Sequence, residues 1–241
     1  MERWSIYIDI EGFSALYGQE NQVLQALGVL AEGILFIGRE CYPKTPDRLF
    51  AHQTGDGFII VSEFGAEKLD RPFAISMALL RHVAAFGRFA KAAISQGEFA
   101  DVRGCYPSSV RDAASDNGHL ELGDGMMTLF PVMGAALIQA FKLAENSPSG
   151  PLLTVAATER HRIPSDLVVR QTTNPDVLSI DWIHSPLPLA YSLSHAARLN
   201  NPSVADLEGR LRTYCHTQKL KPDWVSNVST VLGVPECPTA C

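Results

Sequence analysis

Apolar positions along the first forty residues change their period once. Over residues 4–10 they alternate, with Trp4, Ile6, Ile8 and Ile10 on one side and Ser5, Tyr7 and Asp9 on the other, the two-residue period of a half-buried strand. Past Glu11-Gly12-Phe13-Ser14 the repeat lengthens. Val23, Leu27, Leu30 and Ile34, with Leu24, Ala31 and Leu35, recur at helical spacing up to Gly38. A strand, a glycine-containing turn and an amphipathic helix are predicted in that order.

Residues 48–54 and 58–62 are apolar runs that flank Gly55-Asp56-Gly57, a pattern that predicts a tight hairpin. Pro72 opens a second helix, with Phe73, Met77, Leu80 and Ala84 on one face, ending near Gly87. Residues 88–95 and 97–102 read as a further strand and turn. Residues 104–125 are rich in Ser, Asp, Gly and Asn without periodicity, so a long loop is expected. Met133, Leu137, Ala140, Phe141 and Ala144 mark another helix, and residues 152–156, 167–169 and 177–183 read as closing strands. Hairpins between helices without a strict βα repeat predict an α+β fold, a mainly antiparallel sheet with helices on one face. After Ser185, prolines at 186, 188, 202, 222, 235 and 238 punctuate short helical stretches such as 204–218. The expected division is a main domain over residues 1–185 and a helical appendage over 186–241.

With 241 residues, 46% of them hydrophobic, the chain can bury one substantial core. Its net charge of −6, without a basic run, argues against a nucleic-acid partner. No stretch approaches the roughly 20 uninterrupted apolar residues of a membrane span, and the N-terminus runs straight into a strand pattern. A cytoplasmic protein without a membrane segment or secretion signal is expected. Five cysteines at scattered spacings, Cys41, Cys105, Cys215, Cys237 and Cys241, fit reduced thiols there.

Asp9 ends one predicted strand and Asp56 sits at a hairpin tip. If those strands are neighbours, the two carboxylates converge on one edge of the sheet. Mg²⁺ or Mn²⁺ is typically held by one or two carboxylates plus water and substrate phosphates, and two such ions clamp the attacking and leaving oxygens of a phosphoryl transfer. Backbone N–H groups of Gly12, Phe13 and Ser14, ahead of a helix, are placed to cradle phosphates. An Asp that forms a turn and a plain Gly-Asp-Gly hairpin would produce the same pattern. His82, His119, His161, His184, His195 and His216 are scattered without a nucleophile at a recognisable spacing, which gives a hydrolase triad little support. Trp4, Trp182 and Trp224 read as core or interface anchors.

The stretch Tyr7-Ile8-Asp9-Ile10-Glu11-Gly12-Phe13-Ser14, followed by Thr54-Gly55-Asp56-Gly57-Phe58, resembles the paired signatures of the class III nucleotide cyclase catalytic domain. Residues 91–99 are similar to that family's next strand and turn, and residues 134–145 to its dimer-facing helix. The resemblance, over roughly residues 4–183, implies a ferredoxin-like α+β fold and a head-to-tail homodimer with shared sites. It implies two divalent metal ions, Mn²⁺ or Mg²⁺, on Asp9 and Asp56 with the backbone carbonyl of Ile10 as a further ligand. Phosphates would lie on Gly12, Phe13 and Ser14. Lys142 falls where the family places an Arg that reaches the substrate phosphates from the partner subunit, a position where a cation stabilises developing charge.

The departures from the family pattern carry information too. Ile138 stands where an Asn normally lies one turn before that Arg, and the late strand 177–183 has no Lys. His52 occupies the position where adenylate cyclases use Lys and guanylate cyclases use Glu, with Phe50 on the same face. Pro131 stands where adenylate cyclases commonly place a base-contacting Asp. With these replacements the chain looks like the pyrimidine cyclases of bacterial anti-phage defence, which make cyclic UMP or cyclic CMP as an alarm signal. The implied reaction is cyclisation of a nucleoside triphosphate, UTP before CTP, with the product read by a separate effector. Adenylate or guanylate cyclase activity, or a non-catalytic nucleotide-binding cyclase-like module, are the alternatives.

Overall fold

The alternation over residues 4–10 becomes strand β1 (Glu2–Ile10), an interior strand of a seven-stranded sheet. A computed structural model describes residues 2–12, 20–65, 67–115, 118–129 and 132–234 of the chain. After β1 come α1 (Glu20–Phe36), the hairpin of β2 (Leu49–Thr54) and β3 (Gly57–Ser62), then α2 (Asp70–Ala84) and β4 (Ala90–Glu98). In space these strands lie in the order β4-β1-β3-β2, all antiparallel. That order with this connectivity is a ferredoxin-like βαββαβ unit, as the resemblance implies.

Residues 104–125 are more structured than their composition predicts. They contain α3 (Ser108–Ala113) and part of a small hairpin, β6 (His119–Leu122) with β7 (Gly125–Thr128). The apolar signal there is short because Leu120 alone in that hairpin is buried. Just before them lies β5 (Ala100–Asp101), which pairs with β8 (Val132–Met133) beyond the hairpin. Helix α4 (Ala135–Asn146) follows. The sheet then continues past β4 with β9 (Leu153–Ala156), β11 (Val177–Ile180) and β10 (Val169–Gln171); β9 joins β4 in parallel. The last strand stops at Ile180, short of the expected residue 183, because Asp181 accepts from the backbone N–H of His184 and turns the chain.

Helices cover both faces of the sheet, not one. Trp4, Ile6, Ile8 and Ile10 point into the large core under α1 and α2, with Phe73, Leu79, Leu80 and Ile94. On the other face Tyr7, Ile59, Val61 and Ala93 meet Leu137, Ala140 and Ala144 of α4. The sequence periodicity of α4 revealed its amphipathic stripe but not which face it covers. The helices after residue 185, α5 (Pro188–Ala196), α6 (Val204–Thr217) and α7 (Pro222–Val231), share the large core through Leu193, Leu207, Leu211, Tyr214, Trp224 and Val228. Buried Arg81 donates to the carbonyls of Trp182 and Ser185 at 2.9 and 3.1 Å, tying α2 to the start of that segment. Cys41 and Cys105 are free thiols. Cys215 is disulfide-bonded, which corrects the expectation of five reduced thiols, and Cys237 and Cys241 lie outside the described residues.

The height of α4 over the sheet is set by two glycines. A Cβ on Gly97 would stand 2.6 Å from the backbone nitrogen of Ala136, and one on Gly134 would stand 2.1 Å from the Glu98 carbonyl oxygen. Gly134 also has φ +147°, which L side chains rarely adopt. Ser5 Oγ donates to the Ala136 carbonyl at 2.6 Å across the same contact. Gly97→Ala therefore must push α4 away, and overpacking of this kind costs about 1–3 kcal/mol. Urea unfolding should show that loss, while Gly28→Ala, whose Cβ would meet nothing within 4 Å, should show no such loss.

Candidate active site

Antiparallel pairing assembles the site. Asp9 of β1 is registered opposite Gly57 of β3, so Asp9 lies beside the hairpin tip that carries Asp56. On its other side Asp9 is registered opposite Lys91 of β4. The two carboxylates expected to converge are thus neighbours at one end of the sheet. Directly opposed residues share a face, so Asp9, Lys91 and Tyr7 lie on the α4 side. His52 pairs with Ile59, and Ile59 with Tyr7, which puts His52 and Phe50 on that side too.

Gly57 makes the closeness possible. A Cβ there would meet the Asp9 Cβ at 2.9 Å and the Tyr7 hydroxyl at 3.0 Å. Gly12 has φ +75°, a left-handed turn just after β1 that a glycine adopts without strain. Phe13, Ser14 and Pro131 lie outside the described residues.

Asp9 is short of partners. Its side chain is 17% exposed, its Oδ2 is 4.0 Å from Lys91 Nζ, and its Oδ1 is buried without a hydrogen bond among the described residues. Burial pushes the carboxyl up to about 7; Lys91 pulls it down, while Glu11 and Asp56 push it further up. The ionised form of such a carboxyl is stabilised by any cation that reaches it. Among the described residues no three His, Cys, Asp or Glu side chains are grouped to hold a metal. The donor set present, two half-buried carboxylates at a turn, one of them with a buried oxygen, suits a hard divalent ion that completes its shell with water and phosphate oxygens.

The surrounding groups were only partly legible in the sequence. Burial, then Asp9, Asp56 and Glu145, raise the Tyr7 phenol, which stays protonated and packs edge-on against Phe141 at 5.3 Å. Burial lowers the His52 imidazole, so at neutral pH it is uncharged, with one ring nitrogen a donor and the other an acceptor. Phe50 lies 5.7 Å from Phe99, and Arg48 stacks over it at 5.4 Å. Lys142 and Ile138 are exposed on α4, and among the described residues Lys142 makes no ion pair within the protomer. Lys91 and Glu11 are the charged groups that the motif reading did not single out. The register of β4 against β1 exposes the first, and only the tertiary structure exposes the second. His184 also proves to be partnered: its Nδ1 meets Asp181 at 2.9 Å and its Nε2 meets Glu208 at 3.0 Å, a bridge between the sheet and α6.

No protein-family model matches the chain, and no curated protein matches it in sequence. Among solved structures it is similar to the adenylyl cyclase CyaB from P. aeruginosa, with a TM-score of 0.48 and 10% identity over 74% of this chain and 93% of that one. It is also similar to a bacterial light-regulated adenylyl cyclase, at TM-score 0.47 and 14% identity, covering 82% of this chain but only 57% of that one. A dimeric guanylyl cyclase domain of the RhoGC fusion protein from the aquatic fungus Blastocladiella emersonii aligns at TM-score 0.46 and 11% identity, over 74% and 95% of the two chains.

The state of Asp9 gives stability a pH dependence. Between 3.8, the ordinary value, and about 7, the folded chain holds a proton that the unfolded chain has released. Stability without divalent ions therefore falls as pH rises through that window, by an amount on the order of 2–4 kcal/mol. In EDTA, urea unfolding of Asp9→Asn should lose that part of the pH dependence and leave the variant more stable than wild type at pH 8. Adding Mn²⁺ should stabilise the wild type and not the variant.

Proposed function

We propose that the chain is a metal-dependent nucleotide cyclase that converts a pyrimidine nucleoside triphosphate, UTP before CTP, to its 3′,5′-cyclic monophosphate and pyrophosphate. The observation that carries this reading is the pairing of Asp9 with Gly57. It sets a half-buried carboxylate, one oxygen of which is buried and under-partnered, beside Asp56, within the two motifs that resemble class III cyclase signatures. In the reaction the ribose 3′-oxygen bonds to the α-phosphorus, the bond from that phosphorus to the β-phosphate oxygen breaks, and the 3′-hydroxyl proton is lost. Divalent ions, when bound, supply charge neutralisation at the phosphates. Asp9 and Asp56 would hold them, with the Ile10 carbonyl alongside, and Gly12, Phe13 and Ser14 would receive the phosphates. Positioning and electrostatic stabilisation supply most of such catalysis.

A homodimer completes the site in this proposal. Ile138 and Phe141, 56% and 41% exposed, flank Lys142 along α4, and a second copy would cover this apolar surface while Lys142 reaches the other subunit's substrate. For base choice, neutral His52 and Phe50 face the site side of the sheet, and Pro131 replaces a second purine-reading position. On the motif resemblance to anti-phage pyrimidine cyclases, the product would serve as an alarm signal read by a separate effector. Ile138 offers no amide for the ribose, an observation that favours the second reading, a non-catalytic nucleotide-binding module.

Purified protein incubated with UTP, CTP, ATP or GTP and Mn²⁺, with products identified by mass spectrometry, separates these readings. Cyclic UMP should dominate, with cyclic CMP second. A clear purine preference would overturn the base assignment alone, and no cyclic product from any of the four would favour the binding module. Asp56→Ala and Lys142→Ala should each be inactive as pure homodimers. Mixed chains should regain activity, up to about a quarter of the wild-type rate if half of the dimers are hybrid and each hybrid keeps one complete site. Verified heterodimers without activity would rule out the shared site.

A further inference from the structure

The C-terminal helices reach the turn that follows Asp9. Glu11, two residues beyond it, has a carboxylate that accepts the Trp224 indole N–H of α7 at 2.7 Å; burial raises its pKa, while Lys91, that indole and the Gly150 backbone N–H favour the ionised form. The same turn is held through its backbone, where the Glu11 N–H donates to the Phe89 carbonyl at 2.8 Å. The Tyr214 hydroxyl of α6 lies 3.5 Å from the Glu11 carbonyl oxygen and 3.3 Å from where a Cβ on Gly12 would stand. Tyr214 is fixed in turn by ring contacts with Phe89 at 5.1 Å and Trp224 at 5.7 Å. Asn227 of α7 donates to the Ser149 carbonyl at 2.8 Å and pins the loop that supplies the Gly150 N–H.

The electrostatics link these contacts to Asp9. Lys91 acts on both Asp9 and Glu11. While Trp224 and Gly150 hold the Glu11 carboxylate, Lys91 need not serve it alone. Without the indole donor, the Glu11 carboxyl, whose ionisation burial already opposes, would be left under-bonded two residues from Asp9, and the turn would rotate it towards water and carry Gly12 with it.

We propose that α6 and α7 form a positioning element for the proposed metal-binding strand and turn, with Trp224 and Tyr214 as positioning residues acting through Glu11 and Gly12. This rests on the reading of Asp9 as a metal ligand. It gives the segment after residue 185 a task inside the site of its own protomer, distinct from any partner contact. A truncation before α7 would remove a hydrogen-bond donor from the site as well as core packing.

The test uses the full chain and Mn²⁺ as the probe. Mn²⁺ binding by electron paramagnetic resonance titration, together with kcat and KM for UTP, is measured for wild type, Trp224→Phe, Tyr214→Phe and the double variant Trp224→Phe/Glu11→Gln. Phe keeps an aromatic ring and removes the donor. Trp224→Phe should bind Mn²⁺ about tenfold more weakly and lose kcat by a similar factor, with KM changed less than threefold. Adding Glu11→Gln, which removes the stranded charge, should recover most of the Mn²⁺ affinity. Tyr214→Phe should show a smaller loss, and it decides the matter if Trp224→Phe does not fold. Wild-type Mn²⁺ affinity and kcat in a folded Trp224→Phe chain, or in Tyr214→Phe where the former does not fold, would overturn the proposal. Absence of Mn²⁺ binding by the wild-type chain would overturn the metal reading beneath it.

Discussion

Register along β1 is the constraint on which the site depends. The strand is hydrogen-bonded on both sides, to β3 and to β4, and its side chains divide strictly between an apolar face and a mixed one. A slip of one residue would bury Asp9 under α1 and α2 and bring Ile8 or Ile10 to the α4 side, so the large core and the site enforce the same register. Within that register a Cβ at position 57 would crowd Asp9, which glycine avoids, and Lys91 is registered on the far side.

What the register delivers is an electrostatic imbalance. Asp9, Glu11 and Asp56 gather at one end of the sheet, with Lys91 as the cation acting on the first two. Isolated buried charge is costly, and a protein relieves it by protonation, by pairing or by binding a cation. Glu11 is relieved by the Trp224 indole N–H, whereas Asp9 keeps a buried oxygen without a partner among the described residues. The local cost falls on the residue that the motif reading makes functional, a pattern that natural sites often show.

Much of this was legible in the sequence, for physical reasons that also mark the limit. The period of residues 4–10 and the glycines around Asp56 are local signals, and β1 and the β2–β3 hairpin follow from them. The face covered by α4 and the small hairpin that begins within residues 104–125 were not legible. An amphipathic stripe does not name its partner, and a mostly exposed hairpin carries little apolar pattern. The contact between Glu11 and Trp224 spans 213 residues and leaves no periodic trace. Trp224 read as a core or interface anchor; it lies in the core, and its indole N–H serves the turn beside Asp9. Similarly, the spacing of Cys215 gave no indication that it is disulfide-bonded.

One further consequence follows from where β2 lies. It is the outermost strand on its side of the sheet, and Phe50 and His52 are only half-buried on it. Residues at such a margin can be exchanged with little disturbance to the core, unlike Asp9 on an interior strand. If these two side chains choose the base, substrate preference can drift during evolution through a few tolerated substitutions while the reaction centre stays fixed. A library randomised at these two positions alone would then sample new nucleotide preferences on an unchanged scaffold.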